Sequence, residues 1–559
     1  MSTYIINPTD SQRHQMLRSS LTKAGRLEDY ENIIELLGPP PDLMNTASPG
    51  ELCGVNVGII GGGLAGLTAA FELRKLGANI TIIEAVDDRI GGKVDTFYFD
   101  LDKRYYGELG PMRIPISHET TWHYINQFEL NTLPFVSPNS NNFLYVHNTR
   151  IRNDSDNITK YLYPKYNLTK EERNTPWSEL SDYAFNYAIK QLPPNIRTEF
   201  LKILPRYSPE YLPFINKSIR EFFTMLGLSQ DAISLITSID SATGALLTIS
   251  YDEVAQEIYS LDFENLYRIA GGMVNLPIAF YQSLMSPTPA EYHDIPPSFL
   301  GNVVFKLGHY VTGIYKSAYH DKVILKYKST KNNKEVTDVF DYVVCAIPFS
   351  TLRSVEIKPF FQNIKMQAIK EFNFIDAQKT LFLCNRRFWE EDTDYGKMNG
   401  GISFTDLPIQ SVVYPSDHAL CDDTLTSSCS INEPGVLMAT YNLNQGAVRL
   451  GNEKDTRRLE IIMQNVEEVH GLPRGYLNSV VERYKTIHWN GEPWFLGAIS
   501  LALPGQKETF AYSILEPEYN NRIFFAGDHT TVKHGWMQGA LYSGKLAANS
   551  LAKQVISKP

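Results

Sequence analysis

The chain has 559 residues, of which 43% are hydrophobic and 12% aromatic, a composition that excludes a largely disordered protein. Acidic residues outnumber basic ones by 62 to 52, and the formal net charge of −10 argues against nucleic acid or an anionic membrane as a partner. The five cysteines include no CxxC pair, so we expect neither a disulfide framework nor a metal site.

The chain shows no membrane-targeting pattern. No apolar run is long enough to span a bilayer, and the first residues lack the apolar core of a signal peptide. We therefore expect a cytoplasmic or otherwise intracellular protein, with secretion only if a leader has been removed.

A β-α-β unit follows an N-terminal helix. The apolar periodicity predicts a helix over 27–38, a strand over 55–60, a helix over about 64–76 and a strand over 79–84. Gly61, Gly63 and Gly66 form GxGxxG at the junction of the first strand and its helix. In that motif the glycines permit a tight turn, a close approach of the backbone to pyrophosphate, and close packing of helix on strand.

Glu84 ends the second strand, 18 residues after Gly66. A carboxylate there accepts hydrogen bonds from ribose hydroxyls and repels a ribose phosphate, which argues against NADP. Strand, helix and acidic residue all fall where a bound dinucleotide requires them.

A second glycine turn follows at once. Glu84 and Ala85 begin the pattern E-A-x-x-x-R-x-G-G, which continues through Arg89 to Gly91 and Gly92. After GxGxxG, this pattern resembles the flavin-containing amine oxidase superfamily, and the C-terminal segment RIFFAGDHTTVKHGWMQGALYSGKLAA supports the resemblance independently. The resemblance implies bound FAD, with the second turn and its cation on the far side of the dinucleotide.

The segment YYGELGPMRIP resembles the L-amino-acid oxidase branch more narrowly. Gly110, Pro111, Met112 and Arg113 carry the match and are expected to lie at the cofactor. The resemblance implies that Arg113 pairs with the substrate carboxylate through its planar guanidinium, which separates amino acids from plain amines.

The middle of the chain changes character twice. Helical segments with proline-marked turns run from about 130 to 265 and predict a helical insertion, and strands return from about 303 to 348. The resemblance places the backbone of Val311 against adenine. It offers no transferable catalytic histidine in the helical region, and we expect structural roles for His118 and His123.

Residues 372–415 and 489–498 also resemble L-amino-acid oxidases. Lys379 matches a lysine that holds a water near the reactive ring nitrogen of the flavin. Tyr414, just before Pro415, matches a tyrosine whose hydroxyl joins Arg113 on the substrate carboxylate. Trp489 would lie against the flavin ring or close the site.

The last strand and helix complete the resemblance. Gly527 and Asp528 match A-G-(Glu/Asp), whose acidic residue touches the ribityl–pyrophosphate region. The N–H groups near Met537 would face the pyrimidine carbonyl, Trp536 would wall the substrate side chain, and the Gly535 carbonyl would accept from the substrate amine. The segment immediately before this helix, HTTVKHGWMQ, contains no cysteine, so the FAD is expected to be non-covalent.

The resemblance implies an α/β fold with mixed α+β elements, namely a two-dinucleotide-binding-domain FAD fold with a substrate-binding domain and a helical insertion. The expected boundaries are 52–95, 268–350 and 500–559 for the FAD-binding domain; 1–50, 96–165 and 351–499 for the substrate-binding domain; and 166–267 for the helical domain.

The implied activity is that of an L-amino-acid oxidase. A hydride passes from the substrate Cα to FAD, dioxygen reoxidises the flavin to yield hydrogen peroxide, and the imino acid hydrolyses to a 2-oxo acid and ammonia. Two alternatives stay open: a mono- or polyamine oxidase of the same superfamily, and a non-enzymatic binding protein on the same fold, such as Rab GDP-dissociation inhibitors. Relatives are often homodimers, and we expect the same here.

Overall fold

The computed structural model describes residues 5–421 and 429–557. Its strands, in chain order, are β1 Asn56–Ile60, β2 Asn79–Ile83, β3 Thr96–Tyr98, β4 Tyr106–Glu108, β5 Ile114–Pro115, β6 Thr132–Phe135, β7 Phe143–Val146, β8 Thr149–Arg152, β9 Leu266–Ile269, β10 Val303–Lys306, β11 His309–Lys316, β12 Val323–Ser329, β13 Glu335–Phe340, β14 Tyr342–Cys345, β15 Glu356–Lys358, β16 Phe374–Ile375, β17 Ala377–Cys384, β18 Gly401–Thr405, β19 Ser411–Tyr414, β20 Gly435–Leu443, β21 Val481–His488, β22 Ile499–Ser500 and β23 Ile523–Phe525.

The α-helices are α1 Asp10–Lys23, α2 Tyr30–Leu37, α3 Leu64–Lys75, α4 Glu119–Gln127, α5 Ser155–Asn157, α6 Lys170–Asn174, α7 Trp177–Asp182, α8 Ala188–Gln191, α9 Pro194–Arg197, α10 Leu212–Asn216, α11 Ile219–Met225, α12 Gln230–Ile239, α13 Ser241–Ala245, α14 Tyr251–Tyr259, α15 Asn275–Met285, α16 Phe349–Leu352, α17 Asn363–Glu371, α18 Asn444–Gly451, α19 Asp455–His470, α20 Tyr512–Leu515 and α21 Met537–Ile556. Within the described ranges, none of these helices combines the length and apolarity needed to cross a membrane.

A five-stranded parallel sheet is assembled from three separated pieces of chain. Its strand order is β10-β2-β1-β14-β23. The central strands β1 and β14 are apolar and almost wholly buried, because parallel sheets are covered on both faces. Strands from the beginning, middle and end of the chain thus share one sheet. The domain boundaries given above stay a prediction.

Two layers cover this sheet. On one face, α3 and α21 pack closely, and a Cβ added at Gly544 of α21 would lie 2.3 Å from the Ala65 carbonyl oxygen. On the other face lies an apolar cluster shared with the four-stranded sheet of order β13-β12-β11-β15. The turn after β1 therefore stands at the end of a rigid three-layer stack.

A seven-stranded sheet of order β21-β17-β20-β19-β18-β7-β8 forms the second large layer. Side chains alternate between its faces, as the period of a strand requires. Leu381 and Val413 belong to the cluster on the inner face, and Phe382 and Tyr414 to the cluster on the outer face, which α19 covers. The inner face is turned toward the parallel sheet.

The predicted helical insertion is present from 170 to 259 as the short helices α6 to α14, but its expected start near 130 is wrong, because 132–152 contains the strands β6, β7 and β8. Two of them, α6 and α11, begin with capping boxes at Thr169 and Ser218, in which a hydroxyl and a glutamate satisfy free backbone N–H groups reciprocally. The last of these helices, α14, packs next to the C-terminal segment that precedes α21.

One disulfide is present, although the cysteine pattern predicted no disulfide framework. Cys421 and Cys429 are bridged across a Cα–Cα distance of 5.8 Å. Their sulfurs lie near His418, but both ring nitrogens of His418 contact carboxylates, Glu390 and Glu433, at 2.6 Å. The two sulfurs and the imidazole are therefore already engaged by the protein.

Candidate functional site

A cavity of about 410 Å³ lies between the parallel sheet and the inner face of the seven-stranded sheet. Most residues predicted to hold a cofactor or substrate line it. They are Gly61, Gly63, Glu84, Ala85, Gly91, Gly92, Gly110, Pro111, Val311, Lys379, Trp489, Gly527, Asp528, Gly535, Trp536 and Met537. Of the other predicted residues, Met112 packs in the apolar core beside the cavity, and the rest are described below.

The first glycine turn leaves room for an anion. Gly61 has a φ of +102°, which favours glycine, and a Cβ at Gly63 would meet no atom within 4 Å except the Gly92 Cα at 3.8 Å. Gly63 also precedes α3 without capping its first N–H groups, which stay available to a phosphate. A Cβ at Gly66 would lie 2.1 Å from the Gly61 carbonyl oxygen, so this glycine serves packing. The turn fits the pyrophosphate of a dinucleotide.

Glu84 links this turn to the cavity wall. Its carboxylate accepts hydrogen bonds from the Gly62 N–H at 2.6 Å and the Val86 N–H at 2.8 Å. Burial raises the pKa of Glu84, and these hydrogen bonds and Arg89 oppose the rise. Held in this way, the carboxylate presents its remaining acceptor capacity to ribose hydroxyls.

The cation that the second glycine turn places at the cavity is Lys93 and not the predicted Arg89. Arg89 lies outside the cavity lining, where it donates to the Gly92 carbonyl at 2.6 Å and lies 3.6 Å from Asp95. Lys93, which follows the glycine pair directly, lines the cavity instead. Burial lowers its pKa, and the charge of Asp528 opposes that change. The sequence analysis missed Lys93, although its place immediately after the turn was a usable signal.

The C-terminal strand delivers an acidic residue and a helix start to the same cavity. The Asp528 carboxylate accepts hydrogen bonds from the Ser500 hydroxyl and the Gly535 N–H, both at 2.9 Å. α21 begins at Met537, and no side chain caps its first N–H groups. The positive end of the helix dipole therefore lies at the cavity, where it stabilises negative charge on a bound ring.

Lys379 points from β17 into the cavity. Its ammonium donates to the Gly110 carbonyl at 2.5 Å and lies 4.5 Å from the ring centroid of Tyr441. Burial lowers its pKa to about 7, against the attraction of Glu108. Trp489 closes the wall nearby and donates its indole N–H to the Leu109 carbonyl at 3.1 Å.

Arg113 lies beside Trp536, which lines the cavity. Its guanidinium carbon is 5.0 Å from the ring centroid of Phe263 and 5.8 Å from that of Trp536. In the described part of the chain, no carboxylate oxygen lies within 4.0 Å of the Arg113 guanidinium nitrogens. Burial lowers its pKa, and Tyr441 and Glu257 are the strongest opposing influences. Arg113 is thus a partly buried cation with no acidic residue of the described chain within ion-pair distance.

The structure does not bring Tyr414 to this site. Its hydroxyl bonds to Ser403 at 2.8 Å and His470 at 3.0 Å in the outer core, because Tyr414 faces away from the cavity. Tyr441 of β20 occupies the position expected for a site tyrosine: it lines the cavity and is the register partner of Lys379. The sequence analysis missed it because the pairing register of β17 and β20 is not visible in the sequence.

Helix α14 and the turn after it hold the segment before α21. The pairs are Lys533 with Asp262 at 2.6 Å, His534 with Glu253 at 2.9 Å, and the Trp536 indole N–H with Glu257 at 2.6 Å. Glu253 and Glu257 are four residues apart and so share one helix face. That spacing on a helix with buried acidic residues was the signal that the sequence analysis overlooked.

Comparisons with known proteins agree with this geometry. The family described as flavin containing amine oxidoreductase matches residues 64–552. The chain is 26% identical to an L-amino-acid oxidase of Daboia russelii over 542 residues, which cover 96% of this chain and 95% of the relative. It is also 26% identical to an L-amino-acid oxidase of Vipera ammodytes ammodytes, with 96% and 99% covered.

Solved structures share the fold. A putrescine oxidase bound to putrescine superposes with a TM-score of 0.65 at 16% identity, covering 90% of this chain and 99% of the other. Cyclohexylamine oxidase from Brevibacterium oxydans IH-35A gives the same score, identity and coverage. With a family match over most of its length and the glycine turns, Glu84 and Asp528 gathered at one cavity, the chain belongs to the flavin-containing amine oxidoreductases.

Proposed function

We propose that the protein catalyses the FAD-dependent oxidative deamination of L-amino acids. The products are a 2-oxo acid, ammonia and hydrogen peroxide, and dioxygen is the electron acceptor. The carrying observation is Arg113, which is partly buried beside Trp536 of the cavity wall and has no carboxylate within 4.0 Å among the described residues. A planar guanidinium matches a carboxylate with two parallel hydrogen bonds, and the α-carboxylate is what a plain amine lacks.

The residues around the cavity have separate tasks in this proposal. Arg113 and the Tyr441 hydroxyl hold the carboxylate, and the Gly535 carbonyl accepts from the amine. Trp489 and Trp536 exclude water and fix the orientation of the Cα–H. The bound flavin supplies the two-electron chemistry. The substrate loses a hydride from Cα and a proton from nitrogen, and the imino acid then takes up water and releases ammonia.

The cofactor is proposed to be bound without a covalent link. The described cysteines are absent from the cavity lining, so no thiol there is placed to form a thioether with the ring. Denaturation of the yellow protein should therefore release all of its FAD into the filtrate. A yellow polypeptide after denaturation would contradict this part of the proposal.

The test replaces Arg113 by Gln and compares amino acids with amines. We expect kcat/KM for L-amino acids to fall about 100-fold or more, because a desolvated charge pair is lost. Arg104→Gln is the matched control, since Arg104 is an exposed cation nine positions earlier, and it should behave like the wild type. Peroxide formation is the readout.

Two outcomes would overturn the proposal. If the wild type oxidises amines without a carboxylate better than L-amino acids, and Arg113→Gln leaves that activity unchanged, the amine oxidase alternative is correct. If the purified protein carries no flavin and oxidises neither class, the non-enzymatic alternative is correct.

A further inference from the structure

Glu257 differs from the other two acidic residues that hold the segment before α21. Asp262 is matched by the ammonium of Lys533, and Glu253 by the imidazole of His534, whose pKa is raised by Glu253 although burial alone would lower it. Glu257 accepts only from the neutral indole of Trp536 among the described residues. No described cationic nitrogen lies within 4.0 Å of it.

The accessibility of the three carboxylates follows the same division. Asp262 and Glu253 are 0% and 3% exposed, whereas Glu257 is only partly buried. Burial is nevertheless the main reason that the pKa of Glu257 rises to about 8, with a further contribution from the charge of Asp262. Glu257 is therefore a partly buried acidic group with no described cationic nitrogen within 4.0 Å, although the charges of Lys533 and Arg113 act on it from further away and lower its pKa.

Trp536 connects Glu257 to the substrate end of the cavity. One face of the indole lies 5.8 Å from the Arg113 guanidinium carbon, its edge N–H donates to Glu257, and the residue lines the cavity. A substrate whose carboxylate is held by Arg113 can therefore run its side chain along Trp536 toward Glu257. Phe263 packs beside the same indole, at 6.2 Å between ring centroids, and adds an apolar surface for methylene groups.

We infer that Glu257 binds the cationic end of the substrate side chain, so that the preferred substrates are basic L-amino acids of the lysine and arginine type. This inference rests on the proposed function, because it assumes that Arg113 holds the α-carboxylate. A bound ammonium would neutralise the carboxylate and favour its ionised form, as an opposite charge does for any buried acid. A substrate with an apolar side chain would leave Glu257 unpaired.

The test compares L-lysine with L-norleucine, which has the same four-carbon side chain without the ammonium. For the wild type we expect kcat/KM to favour L-lysine by about 30-fold or more, the discrimination expected from a desolvated charge pair. In Glu257→Gln, which keeps an acceptor for the Trp536 N–H, this ratio should fall to 1 or below while L-norleucine changes little. Glu264→Gln removes an exposed charge seven residues away and should preserve the wild-type ratio.

A binding measurement on the wild type covers the case in which the variant does not fold. The compounds 6-aminohexanoate and hexanoate lack the α-amine and so cannot undergo the proposed oxidation at Cα, and we expect the former to be the stronger competitive inhibitor by about tenfold or more.

The outcomes separate the two proposals. Equal oxidation of L-lysine and L-norleucine, or an unchanged ratio in Glu257→Gln, overturns the inference and leaves the proposed function standing. Equal losses for both substrates in Glu257→Gln would mean that Glu257 only positions Trp536, which also overturns it. If no L-amino acid is oxidised, the proposed function itself fails and the inference falls with it.

Discussion

Val413 and Tyr414 are adjacent residues of β19 that face opposite sides of the seven-stranded sheet. Only Val413 is turned toward the inner face, so the single tyrosine of this strand cannot reach the cavity. Tyr441 is the residue that presents a hydroxyl there, next to Lys379 and within electrostatic reach of Arg113. Because neighbouring residues of a strand face opposite sides of the sheet, Tyr414 of β19 belongs to the core, whereas Tyr441 of β20 belongs to the site.

The two tyrosines should respond differently to removal of the hydroxyl. Tyr441→Phe should raise KM for the best L-amino acid about tenfold, because a hydrogen bond to a charged carboxylate is lost. Tyr414→Phe should leave KM unchanged and lower the free energy of unfolding by about 1–3 kcal/mol, because Ser403 and His470 lose a buried partner. Steady-state kinetics and urea unfolding measure the two effects, and the reverse pattern would return Tyr414 to the site.

The lowered pKa of Lys379 predicts that the reaction with dioxygen depends on pH. With a pKa lowered to about 7 by burial, its ammonium is charged below that pH and neutral above it, and negative charge on a bound cofactor can only move the transition upward. The rate of dioxygen consumption by the pre-reduced protein should therefore fall as pH rises above about 7. In Lys379→Met the rate should be about 100-fold lower and nearly independent of pH. Stopped-flow mixing with dioxygen checks this, and an unchanged pH profile in the variant would contradict it.

At the scale of elements, two glycines at the junction of β1 and α3 have different tasks: Gly66 serves packing and Gly63 serves binding. A Cβ at Gly66 collides with the Gly61 carbonyl, whereas a Cβ at Gly63 enters the cavity and leaves the protein atoms undisturbed. One glycine of the motif is therefore required by the fold and another by the ligand.

Alanine substitutions should reveal this division. Gly63→Ala should fold like the wild-type apoprotein but retain little FAD, because its methyl group occupies the space of the pyrophosphate. Gly66→Ala should destabilise the apoprotein itself by about 1–3 kcal/mol, as overpacked cores do, and lose FAD as well. Thermal unfolding of the apoproteins and the ratio of flavin to protein absorbance are the measurements. Full FAD occupancy in Gly63→Ala would show that the pyrophosphate lies elsewhere.

At the scale of the whole molecule, local chemistry was readable from the sequence and long-range pairing was not. GxGxxG, Glu84 and the turn at Gly527 depend on residues close in sequence, and the structure gathers all of them at one cavity. Tyr441 reaches the same cavity through strand register, and Glu257 reaches the cavity-lining Trp536 through helix docking, neither of which leaves a local pattern. The cation near the second glycine turn was only half predictable. The sequence identified the correct turn, but it indicated Arg89, whereas the residue that lines the cavity is Lys93.

The order of strands in the parallel sheet also bears on how the protein is made. β14 lies between β1 and β23, and β23 comprises residues 523–525, whereas β1 ends at Ile60. At about 5–20 residues per second, a ribosome needs tens of seconds to pass from the first of these strands to the last. Throughout that interval the nascent sheet has an open hydrophobic edge. The dinucleotide pocket also lacks Asp528 and the start of α21, which complete its wall. The complete cofactor site therefore forms only after β23, Asp528 and α21 have been made, and we expect the nascent chain to be prone to aggregation until then.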